Sequence, residues 1–304
     1  MSLSPIKIIF SSAAIYTAFI GIFINLYQNY LPSFIVNTFL YGKYSLPTSN
    51  TTPSIKVPKR WFRHFYVFAT IWSSIFLILT SFYYFHVIHS IPKLAKDFLS
   101  YFILEDQVAT VSAVDTLLAL FLITIQSYKR FYETHYVSVF SNAMMDISHY
   151  LIGLIHYFGT ILAIVVESPG FSQSGKFENS FQFKDISYKE VVISLIFLWA
   201  WWNQLKSATI LGNLRKNKKG EVVTQEHRIP YGGLFSYVSS PHSMCEIIMY
   251  LCLSLILFEN HTFHYITAWV LVNQVETSIL AHRWYKNKFK EYPKNRKALI
   301  PSIF

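Results

Sequence analysis

Charge is scarce in this chain of 304 residues. Asp, Glu, Lys and Arg make up 14% of it, against 53% hydrophobic residues, where a soluble domain carries roughly 25% charge. That shortage excludes an ordinary soluble domain and calls for a polytopic membrane protein. Cysteine is scarcer still. Cys245 and Cys252, seven apart on one face of one expected helix, rule out a disulfide framework or a zinc site and read as small core residues. No GxGxxG follows a strand and no strand pattern exists, so a Rossmann nucleotide site is excluded. Internal repeats are missing too, which argues against a transporter. The pairs His86/His89 and His261/His264 lack the converging H-x-x-x-H boxes of a di-iron centre, and no metal is expected. Neither a nucleic-acid partner nor an obligate protein partner is expected.

What the chain has is long apolar runs and aromatics, 18% of it, including 21 Tyr and 27 Phe, enough for interfacial belts and packing between helices. Seven spans are expected, at 6–28, 64–88, 108–126, 146–166, 189–211, 236–258 and 262–284, each near the ~20 residues needed to cross. The fold class is an all-α membrane bundle, one embedded domain over 1–304 with its cofactor site in the C-terminal half, 200–304. The first apolar run has only Lys7 before it and no small-x-small cleavage pattern, so it reads as a retained span rather than a signal peptide.

Charge placement orients the bundle. With the N-terminus lumenal, Lys7, Lys93, Lys96, Lys176, Lys184 and Lys189 lie on the lumenal side and all other Lys and Arg of the 26 lie on the cytosolic side. The positive-inside rule therefore favours an N-lumenal, C-cytosolic arrangement, and a six-span arrangement splits this asymmetry and fits worse. Residues 43–60 hold three Pro among Ser and Thr and read as an exposed cytosolic linker. The sequon Asn50-Thr51-Thr52 within it is expected to stay bare. Residues 91–106 are too short and too charged to cross, and 167–188 reads as a polar, uninformative lumenal loop.

Polar residues interrupt the apolar runs at few places. Lys129, Arg130 and Glu133 sit where the third span leaves the lipid; by themselves they read as a snorkelling basic pair with a local ion partner. His149 and His156, beside Tyr150 and Tyr157, read as histidines hydrogen-bonded between helices. Asn203, Gln204 and Lys206 break the fifth span, and intramembrane polar residues are functional candidates. His242 and Glu246 stand at i, i+4 in HRIPYGGLFSYVSSPHSMCE (227–246), and a carboxylate one turn into an apolar helix needs a partner. Lys and Arg crowd the last polar stretch, HRWYKNKFKEYPKNRKALIPSIF (282–304). Its apolar end, 298–304, is expected to fold back on the bundle.

These two stretches, RIP-x-GGLF-x-YVS and H-x-W-Y-x-x-x-F-x-x-YPK-x-RKALIP, resemble the C-terminal half of the steroid 5α-reductase family, and within it the polyprenol-reducing branch. The resemblance implies an NADPH pocket inside the helix bundle, open to the cytosol. It assigns the phosphate end to His227 and Arg228, and the nicotinamide amide and ribose to His242 and Glu246. His282 and Tyr285 close the pocket. Arg130, Gln204, Arg215 and Tyr237 complete the cofactor-binding set. Such a cofactor needs several fixed cations, arginine above all for its bidentate geometry.

Three departures separate the chain from steroid-reducing relatives. Asn29-Tyr30 stands where they carry Gln-Glu, Ser127 stands in place of their tyrosine, and Ala208 replaces an acidic residue. The tracts Leu40–Lys43 and Arg215–Gly220 match the polyprenol branch. The expected activity is thus NADPH-dependent saturation of the α-isoprene double bond of polyprenol or its aldehyde, in the endoplasmic reticulum membrane, on the route to dolichol and protein N-glycosylation. The expected partners are a long-chain isoprenoid and membrane lipid. The alternatives are a 3-oxo-5α-steroid 4-dehydrogenase and an isoprenylcysteine-type methyltransferase, whose methyl donor has no phosphates for these arginines to hold. Hydride addition needs an acceptor for the developing negative charge. An α,β-unsaturated aldehyde offers one and an allylic alcohol does not, which favours the aldehyde. Tyr30 and Tyr128, near the positions of the steroid enzymes' acid pair, are the candidate catalytic donors.

Overall fold

The computed structural model describes residues 4–27, 30, 31, 36, 55–104, 106–172, 178 and 180–304. Asn29, Leu40–Lys43, Asn50 and Lys176 lie outside them, so the sequon and the first branch-specific tract are not among the described residues.

Helices dominate: α1 (Pro5–Tyr27), α2 (Phe62–Tyr84), α3 (Lys93–Leu99), α4 (Ala113–Tyr132), α5 (Ile147–Val165), α6 (Tyr188–Asn213), α7 (Pro241–Ile256) and α8 (His261–Lys288). Each of the seven apolar runs falls on one of them, and α3 occupies the charged stretch expected not to cross. Among the described residues, three segments are long and apolar enough to cross a membrane on length and composition: Pro5–Tyr27, Lys59–Tyr84 and Ile147–Val165.

Local chemistry sets the boundaries. Ser112 caps α4 through the Asp115 amide, and Ser187 with Glu190 forms a capping box on α6, satisfying amides that a helix start leaves unpaired. Pro241 opens α7, where its missing N–H costs nothing. Two three-residue strands depart from the all-helical expectation: β1 (Lys56–Pro58) pairs antiparallel with β2 (Met144–Asp146). That clip ties the entry of α2 to the entry of α5.

The helices pack as α1 with α8, α2 with α4 and α5, α6 with α7, and α7 with α8, around a core that includes Leu120, Leu162, Phe197, Leu253 and Phe263. Cys245 and Cys252 are free and buried in that core. The segment following α5 is far from uninformative. Glu167, 2% exposed, accepts from Thr110 Oγ1 at 2.9 Å, the His261 amide at 3.0 Å and the Thr262 amide at 2.9 Å. It also meets Lys7 at 3.5 Å. One carboxylate therefore caps α8 and joins α1, the start of α4 and the end of α5. Removing it with Glu167→Ala is expected to cost about 2 kcal/mol, the upper end for a lost helix cap, read as a lower thermal midpoint in detergent. Lys7→Met is expected to cost less, because Lys7 is the more exposed partner; equal losses would show that the ion pair rather than the cap dominates.

Candidate active site

Two cavities open at the ends of α6, α7 and α8. The larger, of about 340 Å³, is lined by the cations Lys59, Arg130, Arg215 and Arg228, by His227 and His242, and by Ser239, Ser240 and Tyr285. The smaller, of about 250 Å³, is walled by Phe62, Phe65, Tyr66, Tyr157 and Trp269, with Gln204, His242 and Glu246 as its polar face. Arg130 and His242 line both, so the two spaces share a wall.

A chain of polar side chains crosses this junction. Gln126 Nε2 donates to Gln204 Oε1 at 2.9 Å and to Glu246 Oε2 at 3.1 Å. Gln204 Nε2 donates to the same Glu246 oxygen and to the His242 carbonyl at 3.1 Å. Lys129 donates to Gln204 Oε1 and to the Trp201 carbonyl. Two amides, rather than an arginine, thus satisfy the Glu246 carboxylate, and among the described residues nothing donates to its Oε1.

Lys129 does not snorkel. Its side chain is 1% exposed and faces Glu133 at 3.7 Å, while Arg130 also pairs with Glu133. Helical i,i+4 and i,i+3 spacing puts Glu133 on the same buried face as both cations, and a π-helical turn, Glu133–Val137, follows at the end of α4.

The floor of the basic cavity is built from turns. Gly232 and Gly233 have φ of +89° and +54°, left-handed values that favour glycine, and they turn the chain from Arg228 into the start of α7. Gly212 packs against the π-turn so closely that a Cβ would lie 2.5 Å from the Val137 carbonyl oxygen. Arg215 donates to the Val139 carbonyl and meets His227 Nδ1 at 3.2 Å. Burial holds its pKa below the ordinary guanidinium value, with the Tyr285 phenol opposing. No carboxylate lies within ion-pair distance of Arg215 or Arg228 among the described residues. Ser240 Oγ, buried in the same wall, has no hydrogen-bond partner. A half-buried Arg215 and an exposed Arg228, neither in ion-pair contact with a carboxylate among the described residues and with the Ser240 hydroxyl beside them, suit a phosphorylated ligand.

Behind Ser239 and Ser240 lies the C-terminal segment. Its backbone runs parallel to 237–240: Lys297 N donates to the Tyr237 carbonyl at 2.9 Å, Ser239 N to the Lys297 carbonyl at 2.8 Å, and Ser240 N to the Ala298 carbonyl at 3.2 Å. Ser239 Oγ bonds His282 Nδ1 at 2.7 Å and the Tyr292 hydroxyl at 2.6 Å. The expected fold-back holds for Ala298 and Leu299, which are buried; Ile303 and Phe304 stay exposed.

Of the ten cofactor-binding candidates, Arg130, Arg215, His227, Arg228, His242 and Tyr285 line the basic cavity, and Gln204 and Glu246 line its neighbour. His282 stands one hydrogen bond behind Ser239, and Tyr237 contributes only its backbone there, its side chain being exposed. The two candidate donors stand apart from both cavities. Tyr30 is 85% exposed, and Tyr128 is 53% exposed with its hydroxyl on Ser74; neither lines a cavity. Tyr128 is one residue from Lys129, a rotation of about 100° on a helix, which turns it to the outside of α4.

Comparison with known proteins joins this geometry to a family. A profile described as 3-oxo-5-alpha-steroid 4-dehydrogenase matches residues 160–304. The chain is 34% identical to polyprenal reductase of Drosophila melanogaster over 94% of its own length and 89% of the relative's. The chain belongs to the steroid 5α-reductase family. Within that family it is 33% identical to polyprenal reductase of Homo sapiens and 32% identical to that of Caenorhabditis elegans, covering 78% and 80% of those proteins. The family profile spans both C-terminal polar stretches and everything that walls the basic cavity from α6 onward. Residues outside it (Tyr66, Gln126, Lys129, Arg130) complete the site from α2 and α4.

Sequence reasoning passed over Tyr66, Lys59, Ser239 and Ser240 as site residues. Tyr66 is one of 21 tyrosines, and nothing in its local pattern marks it; only the tertiary approach of α2 to Arg130 does. Ser127 registered as a departure from a family pattern, and its neighbour Gln126 proves to be a donor to Glu246.

Proposed function

We propose that the chain is a polytopic membrane reductase that saturates the α-isoprene double bond of polyprenal with NADPH, giving dolichal. It does so from the endoplasmic reticulum membrane with seven spans, a lumenal N-terminus and a cytosolic C-terminus. The product feeds dolichol synthesis and, through it, protein N-glycosylation. The observation that carries this reading is the junction itself: a cavity with unpaired guanidinium groups beside a cavity of aromatic walls and a single carboxylate, meeting at Arg130 and His242.

NADPH, when bound, supplies the hydride. Arg215 and Arg228 hold its phosphates by charge-assisted hydrogen bonds, and Ser240 offers a further hydroxyl. Glu246, kept in place by Gln126 and Gln204, presents its Oε1 to the carboxamide. Phe62, Phe65 and Trp269 exclude water around the isoprenoid's reacting end, which strengthens every electrostatic contact made there. The aldehyde oxygen is the group on which charge develops, so the site must place a donor beside it.

The test is direct. Purified protein in detergent with NADPH is expected to convert polyprenal to dolichal and to leave polyprenol untouched. Dehydrogenase-free conversion of polyprenol to dolichol at a comparable rate would sink the aldehyde reading, and failure to reduce either would sink the activity.

A further inference from the structure

We propose that Tyr66 is the proton donor of the reaction, the catalytic acid that neither Tyr30 nor Tyr128 is placed to be. The inference rests on the reductase reading above and concerns a residue of α2, outside the stretches that carry the family's sequence motifs.

Four observations converge on it. Tyr66 is 9% exposed and lines the aromatic cavity together with Gln204, His242 and Glu246. Its hydroxyl oxygen accepts from Arg130 Nη2 at 2.7 Å, and the same guanidinium lies 4.7 Å from its ring centroid. Among the described residues its own O–H has no acceptor, so the proton remains available to a ligand. Finally, the Arg130 that holds it is fixed in turn by Glu133, so the phenol's position is set by an ion pair rather than by a flexible contact.

Other groups in the cavity are less suited. His156 Nε2 is engaged with the Tyr250 hydroxyl at 2.8 Å. Tyr157, whose ring centroid is 5.5 Å from that of Tyr66, takes no hydrogen bond from a cation among the described residues. An acid that must give up a proton gains most from a cation able to stabilise the phenolate it becomes, and Tyr66 has that cation in direct contact.

The step balances as follows. Hydride arrives at the β-carbon, the double-bond electrons move toward the carbonyl, and an enolate forms. A C–H bond forms at the α-carbon as the Tyr66 O–H bond breaks. The phenolate left behind stays against the Arg130 guanidinium until a water proton returns through the basic cavity, which Arg130 also lines. Overall, one hydride and one proton are added across the double bond.

Tyr66→Phe keeps the ring and removes the acid. It is expected to bind NADPH with wild-type affinity, measured by fluorescence titration, while kcat for polyprenal falls about 100-fold or more, the ordinary worth of a general acid. Replacing Tyr66 with a ring-fluorinated tyrosine keeps the hydroxyl and makes it more acidic. The alkaline limb of the kcat profile is then expected to move to lower pH, which a merely structural phenol would not do. If wild-type protein reduces polyprenal and Tyr66→Phe turns over at a comparable rate, the donor is elsewhere and the reductase reading stands. An unmoved pH limb in the fluorinated protein overturns the assignment in the same way. If the wild type fails on polyprenal, the reductase reading falls and this inference falls with it.

Discussion

Glu246→Gln is expected to raise the KM for NADPH about tenfold or more while the protein still inserts and folds. The carboxylate takes two amide hydrogens on Oε2, from Gln126 and Gln204, and a glutamine can keep its carbonyl oxygen in that place. What changes is Oε1, the oxygen with no donor among the described residues, which becomes an NH2. A charge-assisted hydrogen bond to the cofactor is then replaced by two donors facing each other. The loss of about 1.5–3 kcal/mol for such a bond corresponds to roughly ten- to more than a hundredfold in affinity. Glu246→Ala should go further, because it also strands the amides of Gln126 and Gln204. Unchanged NADPH titrations in both variants would remove Glu246 from the binding site.

Glu133→Ala is expected to destabilise the fold by about 3–5 kcal/mol, the cost of breaking a buried ion pair by removing one partner. Here one anion serves two cations. Lys129 and Glu133 have side chains 1% and 0% exposed, and Arg130 has no other carboxylate within ion-pair distance among the described residues. The readout is the thermal midpoint in detergent, and the control is Glu133→Met combined with Lys129→Met. That pair removes both charges from the buried contact and should recover part of the loss, since apolar replacement of a buried pair is often neutral or better. A single variant as stable as the wild type would mean that water reaches Glu133.

The seven apolar runs are legible because lipid demands them, and helix starts follow where Ser112, Ser187 or Pro241 mark them. Where the reading slips, tertiary bonds have overruled local pattern. The run from 236 begins five residues before its helix because 237–240 pair with the C-terminal segment instead. The third run begins at 108, yet α4 waits until Ala113, because Thr110 is held in extended backbone by Glu167. Glu167 itself was invisible as a keystone, since its hydrogen-bond partners lie 57 to 95 positions away and Lys7 lies farther still.

The site divides in the same manner. Glu246 and Gln204 were legible as polar groups that an apolar run would not tolerate without purpose, and the arginines as cations gathered at its ends. The choice among tyrosines was not, for neighbouring residues on a helix face different ways: Tyr128 looks outward while Lys129 and Arg130 look in. A sequence offset of one residue separates the exposed phenol of Tyr128 from the buried Lys129.

The pairing of Lys297 and Ala298 with 237–240 also bears on when the protein becomes competent during its synthesis. Among the described residues every helix lies at or before Lys288, so the seven apolar runs are all synthesised before the tail that follows them. The wall behind Ser239 and Ser240 comes with that tail. A chain held before it has its helices and its arginines but lacks the strand that braces the turn beneath them. A site that needs this brace is therefore expected to be complete only in chains whose translation has run past Leu299.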